Sequence, residues 1–391
     1  MIFLFVLSTL AFLAALLILY WLHNQAWLDV HTPHVVPPAA GPLVSLIVPA
    51  RNEEKNIRRC VQSLLAQDYP SLEILVLEDR STDLTPVILA ELAAQDPRLV
   101  ILAGRDLPPG WAGKPHALYQ AAKSASGEWL LFVDADTFLD PNAVSAALAS
   151  AQKNGADLYT IMTEQITGSF WERAVMPLVM TALSVGFSPR KVNDPHTRDA
   201  IANGQFILIK RPVYEAIGGH EKLKNQIVED KAISEQVKWN GYRLVVADGR
   251  GIAQTRMYTD LPSMWEGWTK NIYLGLADKP AMLLLGAFGA FLALMAALVM
   301  PVWPLLGLLW YLQGGGWMSL VVIFQALAVW AALLYFRMRV NDQMDIPRWY
   351  AFTTPLGAGI FAAMMFTSAW KVLSGQGVTW KGRAYDPKTV R

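Results

Sequence analysis

Two stretches of the chain are apolar and almost free of charge, and they flank a segment in which charged and apolar positions are mixed. No Asp, Glu, Lys or Arg occurs before Asp29, and none occurs in 281–336. A helix rises about 1.5 Å per residue, so the first stretch can cross about 30 Å of hydrocarbon once and the second can cross it about twice. The pattern predicts membrane helices on both sides of a soluble domain.

The segment 41–279 alternates short apolar runs with runs in which apolar side chains recur at helical spacing. Alternating strands and helices favour a mainly parallel sheet that is covered by helices on both faces, which is an α/β fold. The predicted strands are 43–50, 72–79, 99–104 and 128–136, and the predicted helices include 53–67 and 114–125.

The N-terminal stretch 1–28 is better explained as a retained anchor than as a signal peptide. A signal peptide has a basic start, a shorter apolar core and a small-residue cleavage site. Here no Lys or Arg precedes the core, and Trp21 and Trp27 are of the type that anchors a helix at the membrane interface. We therefore expect a transmembrane anchor.

The C-terminal region 280–372 contains about three apolar segments. Two of them occupy 281–336, with a break expected at the three glycines 314–316, and the third is 351–370. A basic tail, 373–391, follows. Within the soluble segment, 170–189 is a possible interfacial helix. Its uncharged part, 174–189, is too short to span comfortably; it either lies in the interface and admits a lipid or is a buried helix.

Composition narrows the class of protein further. The 391 residues carry 33 Lys and Arg against 32 Asp and Glu, so the net charge is +1, and only 17% of residues are charged. An ordinary soluble chain carries about 25% charge, which argues against a plain soluble enzyme. Near-neutrality gives no electrostatic basis for nucleic-acid binding. The single Cys60 excludes an intramolecular disulfide and a multi-cysteine zinc site.

Charged residues follow three of the predicted strands, at 51–53, 78–80 and 134–136. Each alone is explained by a helix cap or a solvated loop. Ligands of open α/β sheets bind beyond the carboxyl ends of the strands, so three such ends predict one cleft. Asp134 and Asp136 form a D-x-D pair, and Mg²⁺ or Mn²⁺ accepts one or two carboxylates together with phosphate oxygens. No G-x-G-x-x-G or Walker A motif occurs.

A second acidic pair, Glu229 and Asp230, begins a predicted helix. Carboxylates stabilise a helix N-terminus, which is one explanation of the pair. The other is a general base that takes a proton from an acceptor hydroxyl. The residues alone leave both explanations open.

Five motifs occur in an order that resembles family 2 glycosyltransferases, which have a GT-A fold with a Rossmann-like mixed sheet. They are VSLIVPARNEEKNI, ILVLEDRSTD, GKPHAL, LLFVDADT and VEDKAISEQVKWNGYR, and the resemblance covers about 41–275. The anchor, the apolar C-terminal segments and the terminal VTWKGRAY resemble the subgroup that acts on lipids. It includes ceramide glucosyltransferases, hopanoid-associated glycosyltransferases and carotenoid-acid glycosyltransferases.

The resemblance implies a role for individual residues. Asp230, with Glu229 beside it, would be the catalytic base, and Asp136 with Asp134 would hold a divalent cation, Mg²⁺ or Mn²⁺, on the donor diphosphate. Asp134 would also contact the nucleotide sugar. The remaining donor-binding residues would be Ala50, Arg51 and Glu53 in the nucleotide pocket, Asp79 at the uracil edge and Lys114 beside the base or ribose.

The chain departs from many processive members of the family, which carry Q-x-x-R-W after the E-D helix. Here 265–271 reads WEGWTKN. Trp268 and Lys270 would supply an aromatic wall for the sugar and a cation for the diphosphate, or they belong to an interfacial belt. Arg383 in the tail would approach the diphosphate if the tail is cytosolic. The departure argues against a polysaccharide synthase.

The resulting prediction is an inverting glycosyltransferase that moves a sugar from a nucleotide sugar to a hydroxyl or carboxyl group of a membrane lipid. The expected donor is a UDP-sugar. A polyprenyl-phosphate sugar synthase and a non-catalytic sugar-nucleotide-binding scaffold remain alternatives. Sugar nucleotides are cytosolic, so we expect a multi-pass protein of the inner membrane with 41–279 facing the cytoplasm. If 351–370 crosses fully, the basic tail ends outside, against the positive-inside rule; a re-entrant last segment is the alternative.

Overall fold

The computed structural model describes residues 2–25, 30–32, 41–276, 280–299, 302–380 and 383–385. The chain forms two compact units. The sheet unit comprises mainly Leu28–Ile166 and Phe187–Met257, and the helical unit comprises Met1–Trp27, Thr167–Gly186 and Tyr258–Ala384. Each unit is described by itself.

Eight strands of the sheet unit form one mixed sheet. Their bounds are β1 Val44–Ala50, β2 Leu72–Glu78, β3 Leu99–Ala103, β4 Trp129–Phe132, β5 Thr137–Leu139, β6 Leu158–Gln165, β7 Ile207–Lys210 and β8 Leu244–Thr255. The order across the sheet is β3-β2-β1-β4-β7-β6-β8-β5. Four neighbouring pairs are parallel, whereas β7 runs antiparallel to β4 and β6, and β5 runs antiparallel to β8.

The predicted α/β class is confirmed, and one predicted strand end is wrong. The fourth strand was expected to continue to residue 136, but β4 ends at Phe132. Residues 133–136 form a turn instead, in which the N–H of Thr137 donates to the carbonyl of Asp134 at 3.0 Å. The chain turns here because Thr137 starts β5, which pairs with β8 at the edge of the sheet, away from β4. The D-x-D pair therefore lies in a turn beyond the strand.

Helices of the sheet unit cover both faces of the sheet, as the sequence predicts. On one face, side chains of β1 pack in a core with the helical residues Ile57 and Leu89. On the other face, Ile47 of β1 shares a core with the helical residues Leu118 and Val237. Burial on both faces explains why the strands are continuous apolar runs. The helices are α2 Ile57–Leu65, α3 Thr85–Gln95, α4 Gly113–Ser124, α5 Ala143–Lys153, α7 Pro189–Asn193, α8 Arg211–Ala216, α9 Gly219–Lys222 and α10 Glu229–Trp239.

The helical unit consists of long apolar helices. They are α1 Ile2–Gln25, α6 Phe170–Gly186, α11 Leu261–Leu276, α12 Pro280–Val299, α13 Trp303–Leu312, α14 Gly316–Gln343 and α15 Thr354–Ser374, with a short 3₁₀ helix at Arg348–Thr353 and a small hairpin of β9 Val378–Trp380 and β10 Arg383–Tyr385. By length and composition, Phe5–Leu22, Gly316–Gln343 and Arg348–Ser374 are each able to cross a membrane. The break expected at 314–316 separates α13 from α14.

Polar contacts fasten helices of this unit to one another. The Ser8 hydroxyl donates to Gln325 Oε1 at 2.7 Å, which joins α1 to α14. The Arg337 guanidinium is buried and donates to the carbonyls of Arg173 at 3.0 Å and Ala174 at 3.3 Å on α6. Pro177 lies inside α6 and has no N–H, so the Arg173 carbonyl lacks its regular helical donor. Arg337 supplies that donor from α14.

Candidate functional site

The carboxyl ends of β1, β2 and β4 lie at the same edge of the sheet. Ala50 is in register with Glu78 in one parallel pair, and Ile47 is in register with Phe132 in the other. The chain segments that leave these strands therefore begin at one edge of the sheet, and that they line one cleft stays a prediction.

Asp79 is the most enclosed acid of the first two strand ends. Its side chain is 6% exposed, and Arg51 Nη1 lies 2.7 Å from its carbonyl oxygen and 3.6 Å from Oδ2. On the other side, Arg80 Nε lies 3.5 Å from Asp79 Oδ1. The Asp79 carboxylate thus lies between two guanidinium groups, so a ligand that contacts it also lies near the positive charge of Arg51 and Arg80.

Backbone strain and reciprocal hydrogen bonds join the loops after β1 and β2. Asn52 and Arg80 both adopt left-handed backbone conformations, with φ of 53° and 55°. Such conformations are costly for residues other than glycine and persist only where neighbours hold them. Here the N–H of Asn52 donates to Ser81 Oγ at 3.1 Å, and the N–H of Thr82 donates back to Asn52 Oδ1 at 2.9 Å.

Ala50 and Glu53 occupy different environments. Ala50 is fully buried in the core, and its carbonyl accepts the N–H of Asp79 at 2.8 Å. The backbone N–H of Glu53 donates to Thr85 Oγ1 at 2.8 Å, and its carboxylate accepts from Asn56 at 3.2 Å. That both residues line a nucleotide pocket stays a prediction.

Lys114 joins the two acidic motifs. It lies in the first turn of α4, and its Nζ is 2.7 Å from Asp134 Oδ1 and 2.6 Å from Glu229 Oε1. Burial alone would lower the pKa of Lys114, but the charges of Asp134, Glu229 and Asp230 outweigh it and raise that pKa well above its ordinary value. Lys114 is therefore a permanent cation in contact with both motifs.

Asp230 is held at the N-terminus of α10 by two backbone donors. Its Oδ2 accepts the N–H of Gly204 at 3.1 Å and its Oδ1 accepts the N–H of Lys231 at 2.7 Å. Burial and the charge of Glu229 raise the pKa of Asp230 to about 6, against the charge of Lys114 and the two N–H groups, which act in the opposite direction. A carboxylate with this pKa is ionised at neutral pH and still has affinity for a proton, as general-base catalysis requires.

Asp134 and Asp136 are the carboxylates that could hold a divalent cation, and their role as metal ligands stays a prediction. Burial raises the pKa of the Cys60 thiol, as do the charges of Asp136, Glu53 and Asp134, and Cys60 Sγ lies 3.8 Å from the carbonyl oxygen of Asp134. Within the described ranges, no three His, Cys, Asp or Glu side chains are grouped as a self-sufficient metal site. The donor set fits Mg²⁺ or Mn²⁺, which bind to one or two carboxylates when substrate phosphates supply further oxygens.

The other sequence-predicted residues lie in the helical unit. Trp268, on α11, is 5% exposed, and its indole N–H donates to the sulfur of Met176 at 3.4 Å. Lys270 follows on the same helix. Arg383 is on β10, and its side chain lies outside the described part of the chain. Contact of these three residues with a sugar or diphosphate stays a prediction.

Sequence reasoning missed Gly204. A Cβ placed on this residue would lie 3.2 Å from both Asp230 Oδ2 and Lys114 Nζ, so a side chain here would crowd the two charged groups. The residue stands in the stretch Asn203-Gly204-Gln205, which matches none of the motifs. Gly204 is recognised as part of the candidate site only from its hydrogen bond to Asp230, which is 26 positions later in the chain.

Comparisons with known proteins identify the family of this chain. The model of glycosyl transferase family 2 matches residues 45–218. A 4,4'-diaponeurosporenoate glycosyltransferase of Staphylococcus aureus strain MRSA252 is 30% identical over 353 residues, which is 88% of each chain. The protein of the same name from strain USA300 is 29% identical over 350 residues, again 88% of each chain.

Among solved structures, the chain is similar to the mannosyltransferase PcManGT from Pyrobaculum calidifontis in complex with GDP-Man and Mn²⁺. The TM-score is 0.55 at 18% identity, and the match covers 95% of this chain and 98% of that one. This likeness agrees with the GT-A fold that the sequence predicts. The chain belongs to glycosyltransferase family 2, and it is an enzyme that transfers a sugar from a nucleotide sugar.

Proposed function

We propose that the protein is an inverting glycosyltransferase that moves a sugar from a UDP-sugar to a hydroxyl or carboxyl group of a membrane lipid. The observation that carries the proposal is the position of Lys114, whose Nζ contacts Asp134 of the D-x-D motif and Glu229 of the E-D pair. Two motifs nearly a hundred positions apart thereby share one cluster of charges, with a donor-binding side and an acceptor-activating side.

Asp230 is the general base of the proposed reaction. Its carboxylate takes the proton of the acceptor hydroxyl as that oxygen attacks the anomeric carbon, and the bond to the nucleoside diphosphate breaks in the same displacement. One displacement inverts the anomeric configuration. The N–H groups of Gly204 and Lys231 hold the two carboxylate oxygens in place during the transfer.

The donor side is formed by the strand-end loops and the D-x-D turn. Asp79 would accept a hydrogen bond from the uracil edge, and Arg51 beside it adds positive charge to the nucleotide pocket. Asp136, together with Asp134, would hold the divalent cation. When bound, such an ion neutralises charge on the departing diphosphate.

The acceptor assignment is supported by the relatives and by the helical unit. The S. aureus relatives are named 4,4'-diaponeurosporenoate glycosyltransferases, which denotes glycosyl transfer to a carotenoid-type carboxylate. In the described part of this chain, three helices are long and apolar enough to cross a membrane, where such lipids reside. The proposed location is therefore the inner membrane, with the sheet unit on the cytoplasmic side, where nucleotide sugars occur.

The test is an assay of membranes that contain the full-length protein. Labelled UDP-sugars are added, and the extracted lipids are analysed by mass spectrometry, with Asp230→Asn in parallel. We expect a glycosylated lipid with the wild type and none with the variant, while UDP binding is retained. Full activity of Asp230→Asn with a hydroxyl acceptor would refute the base, whereas a carboxylate acceptor is already ionised and does not test it. If that variant glycosylated a polyprenyl phosphate, which needs no strong base, the polyprenyl-phosphate synthase would replace the present proposal.

A further inference from the structure

Lys238 is a buried cation at the C-terminal end of α10. Its side chain is 8% exposed, and its Nζ donates to three backbone carbonyls: Val192 at 2.6 Å, Asp199 at 2.7 Å and Lys191 at 3.0 Å. Burying an ammonium is costly unless its N–H groups find acceptors, and here the backbone supplies them.

These acceptors belong to the two ends of one segment, 191–199, which we call the clasp segment. Lys191 and Val192 begin it and Asp199 ends it, so the ammonium of Lys238 binds both ends of the segment. The hydroxyl of Thr197 lies 3.1 Å from the same Nζ. Next to Lys238, the indole of Trp239 donates to the carbonyl of Arg198 at 3.2 Å. The end of α10 therefore binds the clasp segment through two consecutive residues.

From the clasp segment the chain runs along α10 toward the acidic pair. Ala200 and Ala202 are buried in the same core cluster as Ile233 and Val237 of the helix. The rise of α10 from Asp230 to Lys238, eight residue steps, is about 12 Å. The chain from Asp199 to Gly204, five residue steps, reaches at most about 17 Å. The run therefore has little slack between its contact with Lys238 and its contact with Asp230.

We propose that Lys238 is a positioning residue for the transfer reaction: by fixing the clasp segment to α10, it places the Gly204 N–H against Asp230. The inference rests on the proposed function, because it assigns a purpose to the geometry around the base. Lys238 makes its described contacts with the backbone and with Thr197, and it acts through them.

The test compares three variants of the full-length protein in detergent. Lys238→Met keeps the length and the apolar stem of the side chain but removes the ammonium, and Lys238→Arg restores a cation. The matched control is Lys210→Met, which removes an ammonium from an ion pair with Asp157 beside the start of β4, at the opposite end of that strand from the D-x-D turn.

We expect Lys238→Met to lower kcat about tenfold while KM for the donor changes less than about twofold, since the donor loops keep their contacts. Hydrogen–deuterium exchange at 200–204 should become faster. The acid limb of the kcat profile should move to higher pH, because loss of the Gly204 N–H disfavours the ionised form of Asp230. Lys238→Arg should recover part of kcat, and Lys210→Met should match the wild type in all three measurements.

Two results would overturn the positioning role. One is an unchanged kcat in Lys238→Met. The other result has two parts. Lys238→Met loses kcat and donor binding together, which indicates general unfolding, and the milder variant Thr197→Val keeps the wild-type kcat and hydrogen–deuterium exchange. The proposed function fails separately: activity of Asp230→Asn with a hydroxyl acceptor refutes the base, whereas an inactive Asp230→Asn beside a fully active Lys238→Met refutes only the positioning role.

Discussion

The backbone N–H of Gly204 donates a hydrogen bond of 3.1 Å to Asp230 Oδ2, in the place where any larger residue would bring its Cβ to 3.2 Å from that oxygen. The same Cβ would approach Lys114 Nζ equally closely. A single missing side chain thus makes room for both the proposed base and the cation beside it.

Gly204→Ala should therefore impair transfer without unfolding the protein. The added methyl displaces Asp230 or Lys114 by a few tenths of an ångström, and such misplacement costs about tenfold or more in kcat. Steady-state kinetics check this. Gly186→Ala is the matched control, because a Cβ at Gly186 meets no atom within 4 Å and should leave kcat unchanged. Wild-type kcat in Gly204→Ala would show that the site tolerates a methyl group there.

Transfer should decline in acid. Burial and Glu229 raise the pKa of Asp230 to about 6, and only the ionised carboxylate accepts a proton. As pH falls below about 6, kcat should approach a loss of about tenfold per pH unit. A pH–rate profile with a hydroxyl acceptor measures this. A rate that is flat from about pH 7 to about pH 5 would contradict the assignment of the base.

Removal of Lys114 should affect both stability and catalysis. Lys114→Met leaves Asp134 and Glu229 near each other without the cation between them, and Glu229 is 4% exposed. We expect a loss of about 2 kcal/mol in unfolding free energy, a discounted figure because Lys114 itself is about one-third exposed and solvent screens the loss. Activity should disappear. Lys210→Met, which breaks the more exposed pair with Asp157, should cost less than about 1 kcal/mol.

Asp136→Ala should weaken donor binding only when the cation is present. Titration of the nucleotide with Mn²⁺ should give an affinity about tenfold or more below that of the wild type, whereas the two proteins should differ little in EDTA. Asp96→Ala changes a carboxylate that pairs with Arg98 before β3, and it serves as the control. Equal affinity of Asp136→Ala and wild type in Mn²⁺ would remove Asp136 from the metal site.

The contact between Arg337 and α6 should stabilise the helical unit. Arg337→Met leaves the Arg173 carbonyl without the donor that Pro177 makes necessary, and it also removes the bond to the Ala174 carbonyl. We expect a loss of about 2 kcal/mol, measured by thermal unfolding in detergent. The exposed Arg339, on another side of the helix, is the control position. Equal unfolding temperatures of Arg337→Met and wild type would show that the α6 carbonyls are satisfied otherwise.

Local sequence patterns predicted much of the secondary structure of the sheet unit. The strands β1, β2 and β3 were predicted within about one residue, because apolar runs buried on both faces have few other structural explanations. The end of β4 was wrong, since the apolar run in 129–133 leads directly into the D-x-D turn, and the partner of β5 is β8, more than a hundred positions away. Pairing at that distance leaves no local signal.

Sequence motifs indicated the acidic residues of the candidate site but not the contacts between them. Asp134, Asp136 and Asp230 are recognisable from short motifs, because each stands at the end of a strand or the start of a helix. The bridge through Lys114 and the turn at Gly204 depend on side chains brought together from four chain segments. Sequence spacing does not encode those distances.

The reciprocal bonds between Asn52 and the loop after β2 have a consequence for protein engineering. Asn52 has a left-handed backbone and is bonded to Ser81 and Thr82 of the other loop, so the shape of the first loop depends on the second. Under the proposed function these loops form the floor under the nucleobase. A graft intended to change nucleotide preference must then transplant both loops as a matched set, because a chimera with one foreign loop would lose the rigidity of the other.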